Sequence, residues 1–308
     1  MVNSVFLRSL KRIGRKIKTM NSNGTVLKIA VQKSGRLKDD SLLLLKEASI
    51  EISNGNNQLK SKSSNFPVEI YFLRDDDIPE YVADQVADIG IVGENIFLEK
   101  GKKNALVKRL GFARCRLAIA VPRNTKYTSI KDLNGKQVAT SYPVLLQNYL
   151  SQNQVSANVH VISGSVEIAP SIGLADAVCD LVSSGSTLLH NGLVEVETIL
   201  QSEAVLIKNC NLSEEKNLIL NQLIFRVDAV LKAKRSKYIL LNIPNVAIDK
   251  ITSIIPGMTS PTIMPLCREG WSSLHSVVDE DDFWNRIDQL KELGAEGILV
   301  IPIEKMIP

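Results

Sequence analysis

Residues Asp176 to Leu188 read Asp-Ala-Val-Cys-Asp-Leu-Val-Ser-Ser-Gly-Ser-Thr-Leu. The apolar run Ala177 to Val182, interrupted by Asp180, predicts a buried strand. It opens into Ser183, Ser184, Gly185, Ser186 and Thr187 at the start of a helical pattern. Such a junction aims several backbone N–H groups and hydroxyls into one small volume. The helix dipole adds partial positive charge there, an arrangement suited to a phosphate. Asp180 lies just upstream on the same strand, where a carboxylate can accept hydrogen bonds from sugar hydroxyls. A five-carbon sugar carrying a 5′-phosphate engages both features. A plain tight turn is the alternative reading of the same residues.

The elements that must position this junction repeat along the chain. Val26 to Val31 predicts a strand, followed by Gln32-Lys33-Ser34-Gly35-Arg36 and a helix carrying Leu42, Leu43, Leu45 and Ala48. Val68 to Leu73 is a second strand, and Arg74-Asp75-Asp76-Asp77-Ile78-Pro79 starts a helix with acids near its N-terminus. Ala87 to Gly93 is a third strand, with Glu94 and Asn95 entering the next helix. The rhythm restarts at Leu117 to Val121. It continues through a short Ser129–Leu133 helix, Gln137 to Thr140, and a helix opened by Ser141-Tyr142-Pro143. Val159 to Ile162 is followed by Gly164-Ser165-Val166-Glu167, where Ser165 is expected to cap a helix. Alternating strands and helices predict mostly parallel α/β layers in two lobes with a cleft between them. Val194 to Ile199 and Ala204 to Lys208 are expected to return the chain to the first lobe. The helix expected over 213–235 starts at Ser213, with Glu214 and Glu215 in its first turn and Lys232, Lys234 and Arg235 in its last. Beyond it the order β-α-β-β-α-β predicts a ferredoxin-like unit.

Charge and composition narrow the function classes. Residues 1–24 hold six of the 37 basic residues and no acid, leaving 31 basic against 33 acidic residues in a body of about −2. A nucleic-acid footprint is therefore not expected, and no apolar run reaches the roughly 18 residues of a membrane span. The leader lacks a secretory core. It is expected to be a disordered appendage, either transit-like or the product of a start codon upstream of Met20. Cys115, Cys179, Cys210 and Cys267 are scattered, which favours reduced thiols in a cytoplasmic setting over zinc or disulfides.

Several phrases, in order, carry a resemblance. They are Gln32 to Leu37, Arg74 to Pro79, Gly90 to Asn95, Ala139 to Pro143, Gly164 to Glu167, Asp180 to Gly185, and the ending Pro302-Ile303-Glu304-Lys305-Met306. From about Leu27 to Lys305 the chain resembles the long-form ATP phosphoribosyltransferases, which perform the first step of histidine biosynthesis. The resemblance implies an α/β catalytic part of two periplasmic-binding-protein-like lobes, 25–112 with 196–212 and 113–195. It also implies a regulatory ACT-like domain over 236–308. ATP and 5-phosphoribosyl 1-pyrophosphate (PRPP) are the implied substrates, with Mg2+ riding on their phosphates and no protein metal site. Histidine is the implied inhibitor, and dimers assembling to a hexamer the implied oligomer. Asp180 would hold ribose hydroxyls, and Ser183, Ser184, Gly185, Ser186 and Thr187 the 5-phosphate. Glu167 would serve the ribose or pyrophosphate side, Arg36 a nucleotide, and Tyr142 the adenine. Arg36, Glu167 and Asp180 form the implied catalytic set, with Asp75 and Glu94 as further binding candidates.

Plainer roles stand beside these. Asp75, Asp76 and Asp77 can be solvated helix-start charges, Arg36 a surface ion-pair partner, and Tyr142 a core aromatic. His160, His190 and His275 are assigned no catalytic role, and Trp271 and Trp284 are expected to pack the C-terminal unit. A two-lobed solute-binding protein and a transferase acting on another base are the rival functions.

Overall fold

The computed structural model describes residues 24–53, 59–101, 103–258 and 260–307; all of the expected leader except Gly24 lies outside them. The first sheet grows from β1 (Leu27–Gln32), whose LKIAVQ sequence is buried almost throughout, as suits a strand covered on both faces. β1 pairs in parallel with β3 (Val68–Leu73) and β4 (Ile89–Gly93). β2 (Lys60–Lys62) and β11 (Ala204–Asn209) flank this parallel core in antiparallel fashion, and β5 (Asn104–Arg109) closes the far edge, giving the order β2-β3-β1-β4-β11-β5. Helices α1 (Arg36–Glu47), α2 (Ile78–Ala83) and α3 (Glu94–Lys100) follow β1, β3 and β4. Helix α2 lies so close over β4 that a Cβ on Gly90 would stand 2.6 Å from Ile78 Cγ2.

The second sheet has the order β10-β6-β9-β7-β8. Its strands are β6 (Cys115–Pro122), β7 (Gln137–Thr140), β8 (Asn158–Val161), β9 (Ala177–Val182) and β10 (Leu193–Ser202). β8, β7 and β9 are parallel, whereas β6 and β10 run antiparallel. Between them lie α4 (Pro143–Gln152) and α5 (Ser186–His190).

Four expectations are corrected here. Both sheets are mixed rather than mostly parallel: β2, β11 and β5 join the first in antiparallel pairs, and β6 and β10 the second. Val194 to Ile199 does not return to the first lobe. β10 pairs with β6 from Leu193–Pro122 to Ser202–Cys115, so the second lobe runs on past residue 195 and the crossing back falls at Glu203. Ser165 caps no helix: it adopts φ 50° without a side-chain cap bond, and only the 3-10 turn Val166–Ile168 follows. The helix after Gly185 has only five residues, so its dipole adds little.

The chain divides into two compact units, one through Leu43 with Ile50–Leu220, the other Leu44–Ser49 with Asn221 onward. Helix α6 (Glu214–Arg235) runs from the first into the second, and Ser213 Oγ accepts from Lys216 N–H at 3.4 Å. The second unit contains β12 (Ser236–Pro244), α7 (Ile248–Ile254), β13 (Thr262–Pro265), β14 (Trp271–Asp279), α8 (Glu280–Glu292) and β15 (Glu296–Pro302). The antiparallel order β13-β14-β12-β15 is that of a ferredoxin-like sheet. Ile239, Leu241, Ile243 and Leu274 face α7 and α8 around Phe283, which is 1% exposed. His275 is held by Tyr238 at 2.8 Å, and Trp271 lies beneath Arg268. Among the described residues no helix is long and apolar enough to cross a membrane.

Candidate functional site

Ligands in open α/β sheets bind beyond the carboxyl ends of the parallel strands. In the second sheet those ends are Val161, Thr140 and Val182, and the register sets Thr140 opposite Cys179. Asp180 therefore falls beside Ser141, whose hydroxyl donates to the Ile162 carbonyl at 2.7 Å. Burial raises the Asp180 carboxyl above the ordinary carboxylate range, and the charge of Glu167 pushes the same way. The Leu181 N–H, donating at 2.8 Å, partly offsets this. Asp180 and Glu167 thus lie close enough for the Glu167 charge to act on Asp180, and each is half-buried.

The turn after β9 keeps its polar groups outward. Gly185 sits at φ 83°, a left-handed conformation that favours glycine. Ser183, Ser184, Ser186 and Thr187 are exposed, and the hydroxyls of Ser184 and Ser186 lie 3.0 Å apart. With α5 so short, any anion held by this turn would depend on its N–H groups and hydroxyls rather than on a helix dipole. Arg116, on β6, braces the turn. It forks onto Glu195 of β10 at 2.6 and 2.5 Å and donates to the Ser183 carbonyl at 3.2 Å.

In the first sheet the carboxyl ends of β1 and β3 deliver Arg36 and Asp75. The Arg36 side chain is 82% exposed and lies 3.8 Å from Asp40, four residues on along α1. Asp75 and Asp76 belong to a 3-10 turn, Asp75–Asp77, that leads into α2. Both add their charge to that of Asp180 around Tyr142, whose half-buried hydroxyl is pushed well above the ordinary tyrosine range, chiefly by burial. Tyr142 packs against the apolar clusters of both lobes. A cavity of about 490 Å3 lies beside it, lined by Asp76, Glu80 and Glu99 of one lobe and Ser141, Tyr142 and Val161 of the other.

Glu94 has a different place. It is 6% exposed, and its carboxylate is taken by Arg109 at the end of β5. Arg109 and Arg114 both approach Glu203, so ionic contacts tie together the two segments that cross between the lobes. The Glu94 N–H donates to the Glu203 carbonyl at 2.9 Å. The structure thus brings Asp180, Glu167, Tyr142 and Asp75 into one neighbourhood and puts Glu94 against the segments that cross between the lobes. Sequence reasoning missed Arg116, Glu195 and Glu99. Their partners are remote in sequence, and no local motif announces them.

Among the described residues no three His, Cys, Asp or Glu side chains gather as a metal-ion site. Residues 74–229 match the family model described as ATP phosphoribosyltransferase, and residues 233–305 match that described as HisG, C-terminal domain. The ATP phosphoribosyltransferase of Cytophaga hutchinsonii is 58% identical over 283 residues, covering 92% of this chain and 99% of its own. That of Bacteroides thetaiotaomicron is 55% identical over 282 residues, covering 92% of this chain and 100% of its own. Among solved structures, the HisG:HisZ complex of Thermotoga maritima superposes with a TM-score of 0.56 at 24% identity, over 66% of this chain and 99% of that one, a likeness of fold. With both models matched in sequence and near-complete relatives at such identity, the chain belongs to the ATP phosphoribosyltransferase family, in its long form with a C-terminal domain.

Proposed function

We propose that the chain transfers the 5-phosphoribosyl group of PRPP to N1 of ATP and releases pyrophosphate. The observation that carries this reading is the delivery of a desolvated Asp180 and the exposed Ser183–Thr187 turn by the end of one strand. The turn would hold the 5-phosphate while Asp180 accepts from the ribose hydroxyls. Glu167 stands beside Asp180 on the ribose or pyrophosphate side. Tyr142 would hold the adenine by stacking or by its hydroxyl, with Arg36 and Asp75 at the rim of the first lobe.

The chemistry asks mainly for alignment. Adenine N1 carries a lone pair, so no strong base is needed. As the new N1–C1′ bond forms, the C1′–O bond breaks and its electron pair leaves with pyrophosphate. The ribose gains positive character at that moment, which the carboxylates of Asp180 and Glu167 would stabilise. Holding two substrates in line can supply up to about 7–11 kcal/mol of barrier reduction in favourable model systems. Mg2+ would ride on the substrate phosphates, with few protein ligands, and would neutralise charge on the departing oxygens.

The ferredoxin-like domain would bind histidine as a feedback inhibitor. Met264, Leu299 and Ile301, all more than 40% exposed on the sheet face opposite α7 and α8, suit assembly of copies through dimers to a hexamer. A cytoplasmic location accords with a biosynthetic role. Mixing the protein with ATP, PRPP and Mg2+ should release pyrophosphate and form phosphoribosyl-ATP. A solute binder would release none, and substituted nucleobases would expose a transferase of another base.

A further inference from the structure

Helix α4 starts with a proline and finds no cap within its own lobe. Pro143 has no N–H, Tyr142 makes no side-chain cap bond, and the Leu146 N–H already donates to the Tyr142 carbonyl at 3.1 Å. Two donors of the first turn remain, and both go to one carboxylate. Val144 N–H donates to Glu99 Oε1 at 2.9 Å and Leu145 N–H to Glu99 Oε2 at 3.0 Å. Glu99 belongs to α3, in the other lobe. It satisfies the open donors and places a negative charge at the positive end of α4.

One turn earlier on the same face of α3, Asn95 donates to the Tyr142 hydroxyl at 3.2 Å. Asn95 is itself held, its N–H donating to Ser202 Oγ at 3.1 Å and its Oδ1 accepting from that hydroxyl at 3.0 Å. Helix α3 therefore grips the β7–α4 junction at two points. That junction supplies Ser141, Tyr142, Pro143 and Val144 to the cavity wall, which Glu99 also lines.

We propose that Glu99 is a positioning residue for ATP. By capping α4 from across the cleft it fixes Tyr142, and with it the surface that receives the adenine. This deepens the function proposed above and rests on it. Full-length Glu99→Gln and Glu99→Ala proteins test it by steady-state kinetics and amide hydrogen exchange. Gln keeps the size and one acceptor oxygen but turns an NH2 toward a donor. The KM for ATP should rise about tenfold in Glu99→Ala, the scale of a lost helix cap, and less in Glu99→Gln. The KM for PRPP should hold, while the Val144 and Leu145 amides exchange faster. A lower melting point with the KM for ATP unchanged would overturn the proposal, as would a parent-like exchange rate at both amides. Either result leaves pyrophosphate release by the parent standing; its absence in the parent would instead remove the functional reading.

Discussion

Asp180 is asked to do two things that conflict. The proposed reaction calls for an ionised carboxylate against the ribose, yet burial and Glu167 favour its protonated form. The folded protein therefore binds this proton more tightly than the unfolded chain does. Its stability falls as pH rises from the unfolded value, about 3.9, through the raised folded value. Asp180→Asn should accordingly melt above the parent at neutral pH and lose that advantage in acid, as calorimetry across pH would show. Pyrophosphate release should drop about 100-fold or more in the same variant, since preorganised charge is a leading source of catalysis. An Asp180→Asn protein with parental turnover would remove the ribose assignment. Asp180 and Ser183–Thr187 were legible in sequence because one strand and its turn carry them contiguously. The Glu99 cap was not, because its partner amides lie 45 and 46 residues further on.

At the scale of elements, the β9–α5 turn depends on its neighbours in the sheet. Arg116 donates to the Ser183 carbonyl while Glu195, on the strand beyond, holds its guanidinium. That hydrogen bond lowers the Glu195 carboxyl below the ordinary glutamate value. The contribution is present above about pH 4.3, the unfolded value, and is lost as pH falls through the lowered one. Arg116→Ala should flatten this part of the acid-stability profile. It should also raise the KM for PRPP about tenfold, because hydrogen bonds to charged groups contribute about 1.5–3 kcal/mol. Unchanged PRPP kinetics in Arg116→Ala would show that the turn stands without the brace. The central strands were legible as apolar runs between turn residues. β2, with alternating Lys60-Ser61-Lys62, and β5, with Lys108 and Arg109, lack that signature and exist because their neighbours offer an edge. The true length of β10 was hidden for a related reason. Glu195 and Glu197 break its apolar pattern, and their partners, Arg116 and Tyr127, lie elsewhere in the chain.

At the scale of the molecule, the order of elements revealed the ferredoxin-like unit, since helical and strand periods alternate cleanly there. Its inclusion of Leu44–Ser49, from the end of α1, was not legible, because proximity in space left no pattern in that short segment. The proposed inhibition by histidine belongs to this unit. Removing residues from 236 onward should abolish it while leaving pyrophosphate release without histidine, measured by the same assay. A shortened chain that kept its sensitivity would move the inhibitor site to the other unit. The threading of the first sheet has a further consequence, for how the protein is made. β11 lies between β4 and β5, yet the whole second sheet, residues 115–202, is translated before it. As the nascent chain leaves the ribosome, the inserted lobe has all its strands while β4 and β5 still wait with bare edges for residues 204–209. The lobe encoded first is thus the one finished last, and a chaperone would meet its open sheet throughout that interval.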